Sequence, residues 1–277
     1  MTYLLKLEWL KVKNHTPFWV FIGLFVFSNI ALILMYHFGT KDNNQAVDML
    51  LGSDVLAFPK IWHTAAWFCS WALFLLGLYI ITNVSNETSF KTHRQNIIDG
   101  TSRANFVLGK WLMVLCLAIF ATLVYVIITL LYVAIFNSNS FSKMFDENWW
   151  FVGYYFVQCL SYLGLATCLS MVLRKTGLSI VIYLVYVFII DNLLFAMLGQ
   201  LKPGLGRFML IEASDSMIDY PFRNMTKMGG NGSEAGDFEN PLGTVTNALR
   251  NAYCLVTIIY ISLYIFFSNL QFKKSDL

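Results

Sequence analysis

The chain has 277 residues, 57% of them hydrophobic and only 13% charged, with a mean hydropathy of +0.60 and a formal net charge of +3. That composition excludes an ordinary soluble domain and, with its apolar residues gathered in long blocks, points to an all-α polytopic membrane protein. One transmembrane domain is expected over residues 1–277, with the lipid bilayer as its surroundings and no nucleic acid among its partners.

The first seventeen residues read as a helix lying in the membrane interface. Leu5, Trp9 and Val12 share a helical face, Lys6, Lys11 and Lys13 supply charge, and Pro17 marks the change into the first span. Spans follow at about 18–36, 62–83, 111–136, 150–173, 178–198 and 253–270, each near the roughly 20 residues a helix needs to cross about 30 Å of hydrocarbon. Only Arg174, Lys175, Thr176 and Gly177 separate the fourth and fifth, so these two form a tight helical hairpin.

Charge sets the orientation, because cytoplasmic loops carry an excess of Lys and Arg. With the N-terminus inside, the inner segments hold eleven basic residues against four acidic ones, and the outer segments eight against eleven. Both termini are therefore expected in the cytoplasm, with 84–110 as a cytoplasmic loop and 199–252 as an extracellular segment. Trp62, Trp149, Trp150, Tyr154 and Tyr155 fall where outer headgroups are expected, and Trp9, Trp19 and Trp111 near the inner ones.

Little in the chain suggests covalent chemistry. The five cysteines lie inside apolar runs without CxxC spacing, no histidine pair has ligand spacing, and no GxxxxGK[ST] loop occurs. No catalytic residue and no metal site are expected, and any ATP and Mg must be held by a partner. His37 and His63 lie where the first two spans emerge, a position that suits an interfacial role and also leaves room for the two to approach each other. Asp191 is the only formal charge inside the spans as drawn; it shares a face with Leu184, Val187, Phe188 and Phe195 and needs a partner across helices, water or a proton. A place in the transport path and an interhelical structural role are both open to it.

The most informative stretch is ETSFKTHRQNIIDGTSRANFVLGK, residues 87–110, a polar and basic segment between two apolar runs. Helix formers around Phe90, Arg94, Ile97 and Ile98 precede Gly100, Thr101 and Ser102, which offer a stop and a new N-cap. Glu87, Arg94, Gly100, Ser102, Arg103, Gly109 and Lys110 resemble the pattern of the permease subunits of ABC-2-type exporters: an acid after the second span, an Arg in a short helix, a turn, Ser-Arg, then Gly-Lys. Gly100 and Thr101 stand where many members have Pro, and the usual Gly-Thr after the Glu is absent. The interfacial helix, six spans, basic hairpin turn and long segment before the last span extend the resemblance over nearly the whole chain.

That resemblance implies a transport subunit without its own ATPase, with residues 87–103 as a cytoplasmic coupling helix seated on separate cytosolic ABC ATPase subunits. Glu87, Arg94, Gly100, Ser102, Arg103 and Lys110 would form the coupling region. It further implies a second permease copy, identical or similar, a place in the bacterial cytoplasmic (inner) membrane, and export of a lipid, peptide or drug-like molecule. A loop that merely hugs anionic headgroups is the competing reading of the basic segment. An ion-coupled transporter or channel built on Asp191, and a membrane anchor recruiting a cytosolic protein, are the alternatives for the whole chain. Beyond the fifth span, apolar patches at 208–211 and 217–220 alternate with Glu212, Asp215 and Asp219, and the resemblance implies short helices dipping back toward the membrane there.

Overall fold

A computed structural model describes residues 2–13, 15–41, 56, 58–89, 103–137, 144, 148–201, 205–218 and 247–274. They are helical, with no strand among them, and six helices are long and apolar enough to cross a membrane. In chain order these are α1 (Thr2–Lys13), α2 (Thr16–Lys41), α3 (Ile61–Ser70), α4 (Leu73–Ser89), α5 (Arg103–Phe136), α6 (Phe151–Leu173) and α7 (Thr176–Val185). A π turn (Tyr186–Ile190), α8 (Asp191–Leu201), a 3₁₀ turn (Leu205–Phe208), α9 (Glu212–Asp215) and α10 (Asn247–Lys274) complete them. A helical span is the natural solution in lipid because it bonds every backbone group within itself.

The second and fourth spans form the centre of the bundle. Of their most apolar stretches 67% and 61% is buried, against 17% for the fifth span. Both central helices carry small buried side chains, Ala65, Ala66, Cys69, Ala72 and Ser85 on the second span and Ser161, Ala166, Thr167 and Ser170 on the fourth, which suits close helix packing. Ser85 Oγ and Ser170 Oγ lie 2.8 Å apart at that seam. The fifth span closes on the second at Gly77, where a β-carbon would collide with the Tyr183 hydroxyl. Tyr183 is fully buried by this contact.

Two spans that read as continuous are interrupted. The second breaks at Trp71 and Ala72, whose amides bond Phe68 O and Cys69 O at 3.3 and 3.2 Å, three residues back. Ser70 supplies the cause. Its Oγ lies 2.8 Å from Ala66 O and 2.7 Å from Gln158 Oε1, so it competes for a helix carbonyl while tied to the fourth span. The fifth span passes through the π turn directly before Asp191. Between the fourth and fifth, Arg174 takes the left-handed conformation (φ 54°) and its N–H reaches Ser170 O at 3.2 Å, which ends α6 and reverses the chain in two residues.

Several aromatic assignments shift. Trp62 is 2% exposed, donates to Met144 O at 2.9 Å and accepts the Tyr125 hydroxyl at 2.7 Å on its carbonyl, so it is core and not a headgroup anchor. Tyr155 is likewise buried, whereas Trp149 and Trp150 are exposed as expected of anchors. His37 bonds Tyr132 Oη at 2.7 Å, while His63 stacks on Phe151 with ring centres 4.7 Å apart; each has its own partner.

Candidate functional site

Helix α4 continues to Ser89 and α5 begins at Arg103, so the polar loop drawn at 84–110 narrows to 90–102 between them. Arg94, Gly100 and Ser102 lie outside the described residues, as does the side chain of Arg103. What the structure does place is the root of that loop, and there the charges converge. Glu87 and Lys110 belong to spanning helices, which corrects the reading of Asp191 as the only charge within them.

Lys110, 1% exposed, donates to Glu87 Oε1 at 2.8 Å and to Glu8 Oε2 at 2.6 Å. Lys11 closes the figure, with its Nζ 3.2 Å from Glu8 Oε1 and 3.4 Å from Glu87 Oε1. Two acids and two lysines thus alternate in a closed ring joining α1 to the last turn of the second span and the first turns of the third. Phe106 lies beneath the Lys110 ammonium, 5.5 Å from Nζ to the ring centre. The turn between the fourth and fifth spans is tied to the same end: Ser89 Oγ donates to Arg174 O at 3.0 Å, and Thr176 Oγ1 to Asn86 Oδ1 at 3.1 Å.

The ring balances charge within itself, which is what a buried ion cluster needs to survive desolvation. Burial pushes the Glu8 carboxyl upward, but the ammonium groups of Lys110 and Lys11 outweigh it and hold Glu8 below its ordinary value. Lys11 mirrors this: burial pulls it down, and the Glu87 and Glu8 charges leave it raised.

Glu8 and Lys11 were not visible as site residues because their partners lie 76 to 102 positions away. The local signal was present, since an acid and a lysine three apart share the helix face of Val12, which is 2% exposed. Trp9 lies off that face, 52% exposed, so the apolar stripe expected through Trp9 and Val12 is divided between outside and inside.

A second polar cluster sits at the opposite end of the bundle. Asp191, 2% exposed, accepts the amides of Ile211 and Glu212 at 3.4 and 2.7 Å, pinning residues 205–218 across the end of the bundle. Asp215 Oδ1 accepts from Gln158 Nε2 at 2.8 Å, and its Oδ2 lies 2.9 Å from Tyr162 Oη. Of the partner, water or proton that its sequence context called for, the structure gives Asp191 hydrogen bonds from two backbone amides of the folded-back segment. The described part of the segment after the fifth span folds back with Ile211, Ala213, Met217 and Ile218 buried, while 219–246, including the glycine-rich run, lies outside the described residues.

The profile of a family described as ABC-2 family transporter protein matches residues 4–190, from α1 through the π turn. The chain belongs to the ABC-2 transporter family. A search of curated proteins finds no matching sequence. As an ABC-2 permease the chain is a multi-pass membrane component of an ABC transporter, and ABC ATPase subunits are its partners. The ion ring of this permease lies wholly inside the matched stretch, and the folded-back segment at the other end wholly outside it.

Proposed function

We propose that the protein is the permease subunit of an ATP-driven exporter in a bacterial cytoplasmic membrane, with the ring side facing the cytoplasm. Separate ATPase subunits hold ATP and Mg, and residues 87–103 seat on them as the coupling helix through Arg94, Gly100, Ser102 and Arg103. A second permease copy, identical or similar, completes the path, because six helices enclose too little for a large translocation path. The substrate is an amphipathic molecule such as a lipid, peptide or drug-like compound, in keeping with the apolar faces of the outer spans.

The observation that carries the mechanism is Lys110, buried and bonded at once to Glu8 and Glu87. Both helices that lead into the loop, and the interfacial helix beside them, meet at one ammonium. A push on the loop therefore reaches the second and third spans together with α1, and the bundle responds as a rigid body. The second span transmits it further, since its contacts run along the fourth span at Ser85–Ser170 and Ser70–Gln158.

The test is to purify the chain with the Walker-motif ATPases encoded beside it and measure substrate-stimulated ATP turnover. Wild-type protein should form a detergent-stable complex, Arg94→Ala should weaken it, and Lys110→Met should keep the complex yet lose stimulation by substrate. A chain that binds none of the ATPases, or a folded Lys110→Met complex that responds normally, would sink the proposal.

A further inference from the structure

The segment 205–218 is held onto the bundle by its buried apolar residues Ile211, Ala213, Met217 and Ile218 and also through acids, on which Arg207 is the one cation seen to act among the described residues. Asp191 belongs to the fifth span, Glu212 and Asp215 to the segment; the charges of Asp191 and Asp215 both act on Glu212, and Arg207 is the cation that offsets them. Gly206 presses on the fifth span so closely that a β-carbon would stand 2.6 Å from Phe195 O. Glu212 and Asp215 already stand three residues apart on α9, and seating brings them up to Asp191, which accepts the Glu212 amide, in a site walled by buried Tyr162 and Gln158 where, among the described residues, Arg207 offsets the charge on Glu212. Physics leaves two ways to seat it: accept the repulsion, or take up protons.

The groups around these acids allow the second. From the fourth span come Gln158 and Tyr162, from the fifth Asp191 and Tyr183, and from α10 Tyr260, whose hydroxyl donates to Phe208 O at 2.6 Å. The segment itself adds Arg207, Ser214 and Ser216, the last 3.4 Å from Glu212 Oε1. Once protonated on Oδ2, Asp215 donates to Tyr162 Oη while Oδ1 still accepts from Gln158, so the seat keeps its hydrogen bonds and loses its charge. We propose that residues 205–218 form a proton-linked strap, seated across the fourth and fifth spans when its carboxyls are protonated and lifting when they ionise.

The electrostatics agree with the geometry. Burial, followed by the charges of Asp215 and Asp191, pushes Glu212 up to about 7, and burial pushes Asp215 up to about 6 in spite of the bonds from Gln158 and Tyr162. A carboxyl raised on seating favours the seated state fully below its ordinary value, and that preference fades as pH rises through the raised one. The strap should therefore hold near pH 5 and loosen toward pH 8. This inference goes beyond the export reading and does not depend on an ATPase. If the export reading also holds, acid on the strap side keeps that end of the path shut.

The experiment uses the full chain in phospholipid nanodiscs without ATPase, cysteine-free except for spin labels at Met209→Cys and Trp149→Cys, with distances measured between pH 5 and pH 8. One short distance should dominate at pH 5, and a longer one should gain on it about tenfold or more by pH 8. Glu212→Gln combined with Asp215→Asn should reduce that change to less than about twofold, since the two titrating groups are gone. Hydrogen exchange of amides 211–218 in the unlabelled wild type, referenced to amides of α6, gives the same answer should the cysteine-free chain fail to fold. An unchanged strap across this range, or a pH response that survives the double substitution, would overturn the proposal.

Discussion

The two ends of this permease solve the same problem in opposite ways. At the ring, Glu8 and Glu87 alternate with Lys11 and Lys110, so each charge is met by its opposite. At the strap, Arg207 offsets Glu212, while Asp191 and Asp215 are met by hydrogen bonds from amides, Gln158 and Tyr162 where countercharges would stand. A closed ring suits a joint that transmits force without opening; on our proposal the acid-rich seat is a contact that loss of protons releases. The difference teaches that burial alone does not fix what an ion cluster does, because the count of opposing charges decides whether it locks or switches.

The sharpest way to break the comparison is Lys110→Met, which leaves two carboxylates facing each other without their buried cation. Removal of one partner from a buried pair costs about 3–5 kcal/mol, so thermal unfolding in detergent should shift strongly downward. Adding Glu8→Gln and Glu87→Gln should recover much of the loss, as neutral groups no longer need the ammonium. Recovery that fails to appear would mean that Lys110 acts through packing on Phe106 and not through charge.

At the other end, Gly206→Ala places a methyl group against the backbone of Phe195. Overpacking of this kind costs about 1–3 kcal/mol, and here it should unseat the strap while the bundle stays folded. Faster exchange of the Ile211 and Glu212 amides, with α6 unaffected, is the expected signature.

Acid should separate the two ends further. Glu8, held low, supports its end above its ordinary value and yields only as pH falls through the lowered one; Lys11, held high, supports it below its ordinary value and yields only far into the alkaline range. Between pH 5 and 8 the exchange of α1 amides, corrected for intrinsic rate, should stay flat while the strap amides gain protection toward pH 5. Parallel slopes at both ends would erase the distinction.

The smallest effect belongs to Lys11→Ala. Its side chain is 37% exposed and its contacts are the long ones of the ring, so about 0.2–1 kcal/mol is expected from chemical or thermal unfolding. Together with Lys110→Met, this measures how much of the ring resides in the buried ammonium.

The family, the all-helical class and the six spans could be read from composition, apolar block length and the motif after the second span, because lipid imposes helix on any apolar run of sufficient length. Lys110 and Glu87 were singled out in the sequence through the family resemblance, and the structure places both in the ion ring. Glu8 could not be singled out, since an interfacial helix carries charge whether or not it faces a partner. Nor could the seat for Asp191, whose donors are backbone amides and leave no trace in side-chain identity. The breaks at Trp71 and at the π turn were hidden too, for neither carries Pro or Gly in the sequence, and the first sits beside the inter-span contact of Ser70 with Gln158.

The amino-acid sequence by itself thus determined that the chain carries six apolar helices long enough to cross a membrane and which stretch between them carries charge, because those follow from the free energy of moving local segments between water and lipid. Tertiary structure decided which charges meet: a closed ring at one end and an acid-rich seat at the other, each assembled from residues far apart in the chain. Coulomb and hydrogen-bond energies act over a few ångströms, and only the folded bundle sets distances on that scale.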